Sequence, residues 1–279
     1  MELVASSAHR LKSPAFDPSG SLFCTCSTTG TLFAVNGASL EAFLETNGGP
    51  CGLAFDPTTG DAFLCDGEKQ SVQKIDKDPN TGAPVVVDFI HQFEGRSLSG
   101  PQRLCFLPNG ELLFTDGSAL GEASPTHTGG SVYRTVQRRQ QLLRLAGGLA
   151  GPSGVAVDAQ TGFVYVTETP LNRVLRFVPR PEGHYVSSVW HSLQGSLGPV
   201  DVTVHPLTGD VYVAKYDVAE ASPHGSVVVI GRNGEEKGVI TVPTPHISGL
   251  AVSPSGEDLF IIVEVDDDSV VSKIYRFPL

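Results

Sequence analysis

One phrase recurs six times along the chain, and it constrains the fold more than any other feature. The phrase is a short turn, a three-residue apolar run, a Gly-containing turn and a second apolar run. It reads KSPAFDPSGSLFCTC from Lys12, PCGLAFDPTTGDAFLCD from Pro50, PQRLCFLPNGELLFTD from Pro101, PSGVAVDAQTGFVYVTE from Pro152, PVDVTVHPLTGDVYVAK from Pro199 and ISGLAVSPSGEDLFIIV from Ile247. The residue after the first run falls at Asp17, Asp56, Leu107, Asp158, His205 and Ser253, giving steps of 39, 51, 51, 47 and 48 residues. A fixed core separated by insertions of unequal length is the mark of a repeat architecture whose units cannot bury their faces alone.

Each copy reads as two antiparallel strands joined by a tight turn. LAF, VAV and VTV are continuously apolar, which suits short strands covered on both faces. In the turns, Pro presets φ and Gly supplies positive φ. The partner runs FVYV, DVYV and ELLF are rich in β-branched and aromatic residues. Further strands follow at Thr31, Ser71, Ser131, Arg173, Ser226 and Lys273. About four strands per unit, six times over, describes an all-β fold, a six-bladed β-propeller with four-stranded blades. The last unit has only three evident strands, so residues 1–7 are expected to complete blade six and close the ring. The whole of 1–279 is expected to be one propeller domain, with blade cores starting near 12, 50, 101, 152, 199 and 247.

Composition narrows the function classes. With 31 Gly and 20 Pro in 279 residues, long helices and coiled coils are excluded. A formal charge of −11 disfavours phosphate backbones and anionic lipid, so neither nucleic acid nor membrane is expected as a partner. No apolar run reaches the roughly 18 residues of a membrane span, and the first residues lack the layout of a signal peptide; the expected location is cytoplasmic. Cys24, Cys26, Cys51, Cys65 and Cys105 are odd in number and lack CxxC spacing, arguing against a disulfide framework and a zinc site.

GPSGVAVDAQTGFVYVTETPLNRVLRF (Gly151 to Phe177) resembles an NHL repeat and is similar to the blade motif of the gluconolactonase, regucalcin and strictosidine-synthase-like propellers. SGPQRLCFLPNGELLFTDGS followed by GGSVYR resembles the third blade of that second group. The resemblance implies one diagnostic position per blade, the residue before the Gly of the P-x-G turn, at the mouth of the central channel. In the metal-dependent lactonases these places carry Glu, Asn and Asp, whose oxygens hold a calcium-like cation that polarises the lactone carbonyl. Here the six positions are Lys12, Cys51, Gln102, Ser153, Val200 and Ser248. Lys12 stands where the family has Glu, Gln102 and Ser153 where it has Asn, and Val200 where it has Asp. Asp201 supplies a carboxylate only if the local register shifts, because neighbouring strand residues point to opposite faces. The catalytic Glu of the strictosidine-synthase branch has no counterpart that can be placed.

Other polar residues are weaker candidates. Asp66, Asp116, Glu168 and Lys215 follow the second apolar strands; they either line the channel mouth with Lys12 and Arg103 or cap turns, and capping is the favoured reading. His9 and His246 precede adjacent first strands and could meet at the ring closure. Arg134, Arg138, Arg139 and Arg144 form an expected cationic edge, opposed by the acidic run at 264–268. The long insertion at 117–130 has the length of a binding loop.

These readings lead to a non-catalytic, NHL-like binding scaffold, monomeric, for a protein partner or a small polar ligand. No cofactor is expected, and calcium or another divalent ion is expected to be absent. The alternative is a lactonase-like hydrolase with a shifted or metal-free site around Lys12, Gln102, Arg103, Ser153 and Asp201.

Overall fold

The computed structural model describes residues 1–117, 124–194, 198–216, 222–265 and 270–279. Six antiparallel four-stranded sheets form the blades of a propeller. The innermost strands, Leu11–Phe16, Pro50–Phe55, Pro101–Phe106, Pro152–Val157, Pro199–Val204 and His246–Val252, pack side by side around the axis. In the first five blades the strands run outward in chain order. Blade six is completed by Glu2–Ser7, which pairs with Ser272–Pro278 and so joins the two ends of the described chain. No helix among the described residues is long and apolar enough to cross a membrane.

Apolar patterning explains why the sheets exist only as a ring. The second strands Leu22–Cys26, Ala62–Asp66, Leu112–Asp116 and Val164–Glu168 are buried at every residue, their apolar side chains packed between sheets and their Thr, Asp and Glu side chains hydrogen-bonded. Their partners lie in the neighbouring sheet. Phe63 and Val72 of blade two pack with Leu112, Phe114 and Tyr133 of blade three. Leu113 and Val132 of blade three pack with Val164, Val166 and Phe177 of blade four. Blades four and five meet through Tyr165, Val174, Val211 and Val213, and blades five and six through Val227, Val242, Leu259 and Ile261. The seam between blades six and one buries Ala5, Ile262 and Ile274 against Leu11 and Cys24. Each fully buried aliphatic or aromatic side chain contributes about 1.5–3 kcal/mol, and here it does so across a blade boundary.

Two kinds of polar contact set the blades in register. The residue after the first apolar run receives N–H groups from its own turn: Thr58 N–H donates to Asp56 Oδ1 at 2.8 Å and Gln160 N–H to Asp158 Oδ1 at 3.0 Å. His205 fills the same role with Nδ1, which accepts from Leu207 and Thr208 N–H at 3.1 and 3.2 Å. Arginines from the next blade then latch onto these anchors. Arg139 of blade three bonds Asp56 while lying 5.1 and 5.0 Å from the ring centroids of Phe63 and Phe106, and Arg232 of blade five reaches Asp158 at 2.7 Å.

The four arginines expected to form a cationic edge divide: Arg134 and Arg139 are engaged within the ring, whereas Arg138 and Arg144 stay exposed. Arg134 is buried against Glu111 at 2.5 Å and donates to the Gly183 carbonyl at 3.0 Å, and Arg144 lies over the Phe93 ring. The P-x-G glycines answer to crowding rather than to positive φ. A Cβ on Gly154 would stand 2.8 Å from both Asp201 Cα and Val202 N on the adjacent inner strand. All five cysteines are free thiols, and burial pushes that of Cys24 up to about 12.

Closure by the first strand gives a direct test. Ala5 is buried in the seam whereas Leu3 is about half exposed. Ala5→Asp should lower the unfolding free energy by on the order of 3 kcal/mol in denaturant titration, and Leu3→Asp by no more than about 0.5 kcal/mol. Equal effects would mean the strand is not packed as described.

Candidate functional site

Where the inner strands enter the channel, every blade slips register against its second strand. The slip falls between Lys12 and Ala15, Pro50 and Gly52, Pro101 and Leu104, Pro152 and Val155, Pro199 and Asp201, and Ile247 and Gly249. A bulge cancels strict alternation, so successive residues can both address the channel. Gln102 and Arg103 both line the mouth. Val200 lines it too, whereas Asp201 borders a separate space further along the channel. A register slip is present in all six blades, but it does not bring the Asp201 carboxylate into the mouth.

The mouth is a cavity of about 240 Å³. Its wall changes character around the ring. Arg10 and Lys12 stand on the blade-one side, Ser153 and Thr169 on blade four, and Val200, Tyr216 and Ile247 on blades five and six, with Glu264 and Ser248 beside them. Neither the Arg10 nor the Lys12 side chain has a hydrogen-bond or ion-pair partner recorded among the described residues. Burial pushes the Cys51 thiol up, and the Arg103 and Lys12 charges oppose that shift, which places both cations close to Cys51.

Arg103 closes the floor of this cavity. Its guanidinium donates through Nη1 to the Cys51 carbonyl and through Nη2 to the Ser248 carbonyl, the latter at 2.8 Å. Its Nε lies 3.6 Å from Asp201 Oδ1. Asp201 in turn accepts from Val202 N–H and Leu250 N–H, both at 3.0 Å. Burial raises the Asp201 carboxyl pKa, and the Arg103 charge and these two N–H groups hold the rise in check. One side chain thus ties blade three to blades two, five and six. Beyond it the opposite end of the channel opens as a separate space of about 300 Å³, bordered by Asp201 and by Arg103, the latter shared with the mouth.

The hydroxyls of blade four are mutually engaged. Ser153 Oγ lies 2.7 Å from Thr167 Oγ1 and 2.8 Å from Thr169 Oγ1, and Thr169 Oγ1 donates to the Pro199 carbonyl at 2.7 Å. No imidazole or carboxylate is recorded as a partner of Ser153, so its hydroxyl has no general base in contact. Ser248 Oγ donates to the Leu11 carbonyl at 2.9 Å, and Gln102 Nε2 to the Gly100 carbonyl at 3.2 Å.

The strand-end residues sit in the rim. Gly49 and Lys69 N–H donate to Asp66 Oδ1 at 3.1 and 2.9 Å. Ser99 and Gly100 N–H donate to Asp116 Oδ1 at 2.9 and 2.8 Å, and Ala150 N–H to Glu168 Oε1 at 2.9 Å, whose other oxygen meets Arg173. Lys215 Nζ donates to the Gln194 carbonyl at 2.5 Å. These four cap the loops that feed the inner strands, and none of them lines the mouth cavity. His9 stacks on Phe33 and His246 on Tyr216. Part of the insertion (118–123) and part of the acidic run (266–268) lie outside the described residues.

Sequence reasoning missed Arg10, Thr169, Tyr216 and Glu264. Glu264 ends the second strand of blade six, where Asp66, Asp116, Glu168 and Lys215 end theirs, so extending that comparison to the last repeat would have found it. Thr169 and Tyr216 follow immediately in their own blades. Among the described residues no group of three or more His, Cys, Asp or Glu is placed to hold a metal ion.

Comparison with known proteins sets these residues in a family context. Residues 103–264 match the SMP-30/Gluconolactonase/LRE-like region. No protein of curated function matches the sequence. Among solved structures, a gluconolactonase from Xanthomonas campestris is 19% identical with a TM-score of 0.77, over 98% of this chain and 88% of that one. A luciferin-regenerating enzyme is 13% identical with a TM-score of 0.77, over 97% and 92%. A calcium-binding regucalcin from Agrobacterium tumefaciens is 16% identical with a TM-score of 0.72, over 98% and 90%. At these identities the likeness is one of fold.

The Arg103–Asp201 pair should behave as a unit. Arg103→Met leaves a buried carboxylate without its cation and should cost roughly 3–5 kcal/mol in denaturant unfolding, whereas the Arg103→Met/Asp201→Asn double variant should recover most of that loss. Additive losses would show that the two side chains are not coupled.

Proposed function

The chain belongs to the SMP-30/Gluconolactonase/LRE-like family, and from that premise we propose that it is a ligand-binding propeller whose channel mouth takes a small organic anion, without a divalent cation and without hydrolysis. The observation that carries this reading is the pair of cations Arg10 and Lys12 lining a concave space of about 240 Å³ with no acidic side chain bonded to either. A confined positive site of this kind favours an anion. Its size favours a small molecule over a protein partner.

A hard divalent cation does not fit the residues present. It needs several oxygens, some anionic. The places at which the family's lactonases carry Glu and Asp are Lys12 and Val200, one a like charge and the other without a lone pair. Near a protein surface two unit charges 4 Å apart repel by roughly 4 kcal/mol, and a dication doubles that. Asp201 is committed to Arg103. Asp66, Asp116 and Glu168, which end their second strands, are committed to backbone N–H groups. That leaves Glu264 as the one carboxylate lining the mouth among the described residues, too few for a hard dication.

A second reading, metal-free lactone hydrolysis at the same mouth, is favoured by the family match and by the likeness to gluconolactonase structures. It lacks an activated nucleophile: Ser153 is bonded to threonine hydroxyls, which do not take up a proton at neutral pH.

The two readings separate in one set of measurements. Calcium followed by chelator should leave the melting temperature unchanged, since only a native-state ligand raises it by mass action. At least one simple carboxylate among acetate, benzoate and gluconate should raise it, and Lys12→Met should remove the rise. Hydrolysis of glucono-1,5-lactone should not exceed the uncatalysed rate with or without calcium. Chelator-sensitive turnover, or the absence of any carboxylate effect, would overturn the proposal.

A further inference from the structure

The mouth cavity carries Arg10 and Lys12 on blade one and its accessible apolar surface, Val200 and the Tyr216 ring, on blade five, and that asymmetry specifies more than charge. On the reading that the mouth binds an anion, we infer that its ligand is an amphipathic monocarboxylate, with the carboxylate toward blade one and an apolar or aromatic body against blade five, rather than a polyhydroxylated sugar acid. Two observations carry the inference.

The first is the charge balance. Of the cations at the mouth, Arg103 is already matched by Asp201 and donates to two backbone carbonyls. Arg10 and Lys12 remain, and among the described residues Glu264 is the one carboxylate that lines the cavity. The described lining is therefore complementary to one negative charge. A dianion such as phosphate would be left with uncompensated charge in a partly desolvated space.

The second is the blade-five wall. Val200 and Tyr216, both half-buried, present aliphatic and aromatic surface, and the Tyr216 ring is backed by His246 at a centroid distance of 4.9 Å. The hydroxyl groups of a sugar acid packed against Val200 and the face of the Tyr216 ring would lose their water partners and gain none from those surfaces. An apolar body gains from the same contact, at about 25 cal/mol per Å² of surface removed from water. A space of about 240 Å³ holds on the order of ten heavy atoms, the size of a short aryl carboxylate.

Isothermal titration with phenylacetate, gluconate, inorganic phosphate and the neutral 2-phenylethanol tests this. Phenylacetate should bind at least tenfold more tightly than each of the other three. Lys12→Met should weaken phenylacetate binding at least tenfold, and Val200→Ser by a few fold, with melting temperatures kept within a few degrees of the parent. Gluconate binding as tightly as phenylacetate would overturn the inference and leave the anion reading standing. Phosphate binding more tightly than phenylacetate would do the same. Equal binding of 2-phenylethanol, or no binding of any anion, would overturn both.

Discussion

A carboxylate buried at the axis of a ring must be matched by a positive charge, and in this molecule that requirement is met from within the chain. Asp201 points into the channel between two backbone N–H donors, and the Arg103 guanidinium reaches it from blade three. The planar fork of the guanidinium directs separate donors to separate strands, so it also bonds the carbonyls of Cys51 and Ser248. A lysine could supply the charge but not that geometry. With the guanidinium in place, the channel is divided into two spaces, and because Asp201 matches its charge, the positive character of the mouth comes from Arg10 and Lys12. The floor of the mouth and the linkage of four inner strands follow from one side chain.

Most of the architecture was legible because it is periodic. Six copies of one phrase, each with unbroken apolar strands and a Gly turn, leave few folds in which every copy has a neighbour to cover it. The shortage of a fourth strand in the last copy pointed to the first residues, and Glu2–Ser7 supplies it. The cysteines read as lying outside a disulfide framework, and all five are free thiols, four of them buried.

The site was less legible, for two physical reasons. Strict alternation predicts that neighbouring strand residues face opposite ways, and a bulge suspends alternation where each strand enters the channel, so that Gln102 and Arg103 both line the mouth. Bulges leave little trace in composition, so Arg103 and Asp201 could be proposed as neighbours of the mouth but not as partners. The arginine-rich segment misled for a related reason. Its spacing suggested one edge, yet Arg134 turns to Glu111 and Arg139 to a different blade, because the anchors that receive them lie far away in sequence. The strand-end acids, by contrast, were read as caps from turn chemistry alone, and Asp66, Asp116 and Glu168 each accept N–H groups from the loop ahead of their inner strand.

The pairing of Glu2–Ser7 with Ser272–Pro278 has a consequence for how the chain reaches its native state. Glu2–Ser7 pairs with the strand furthest from it in this sequence, so blade six cannot be assembled from local segments as the other five can. A contact spanning nearly the whole sequence has a large loop-closure entropy, which slows its formation. Until it forms, Ser272–Pro278 presents an unpaired edge, the kind that recruits strands from other molecules. The step that confers cooperativity on the ring is thus also the step during which a second chain in the same state could complete the sheet in its place.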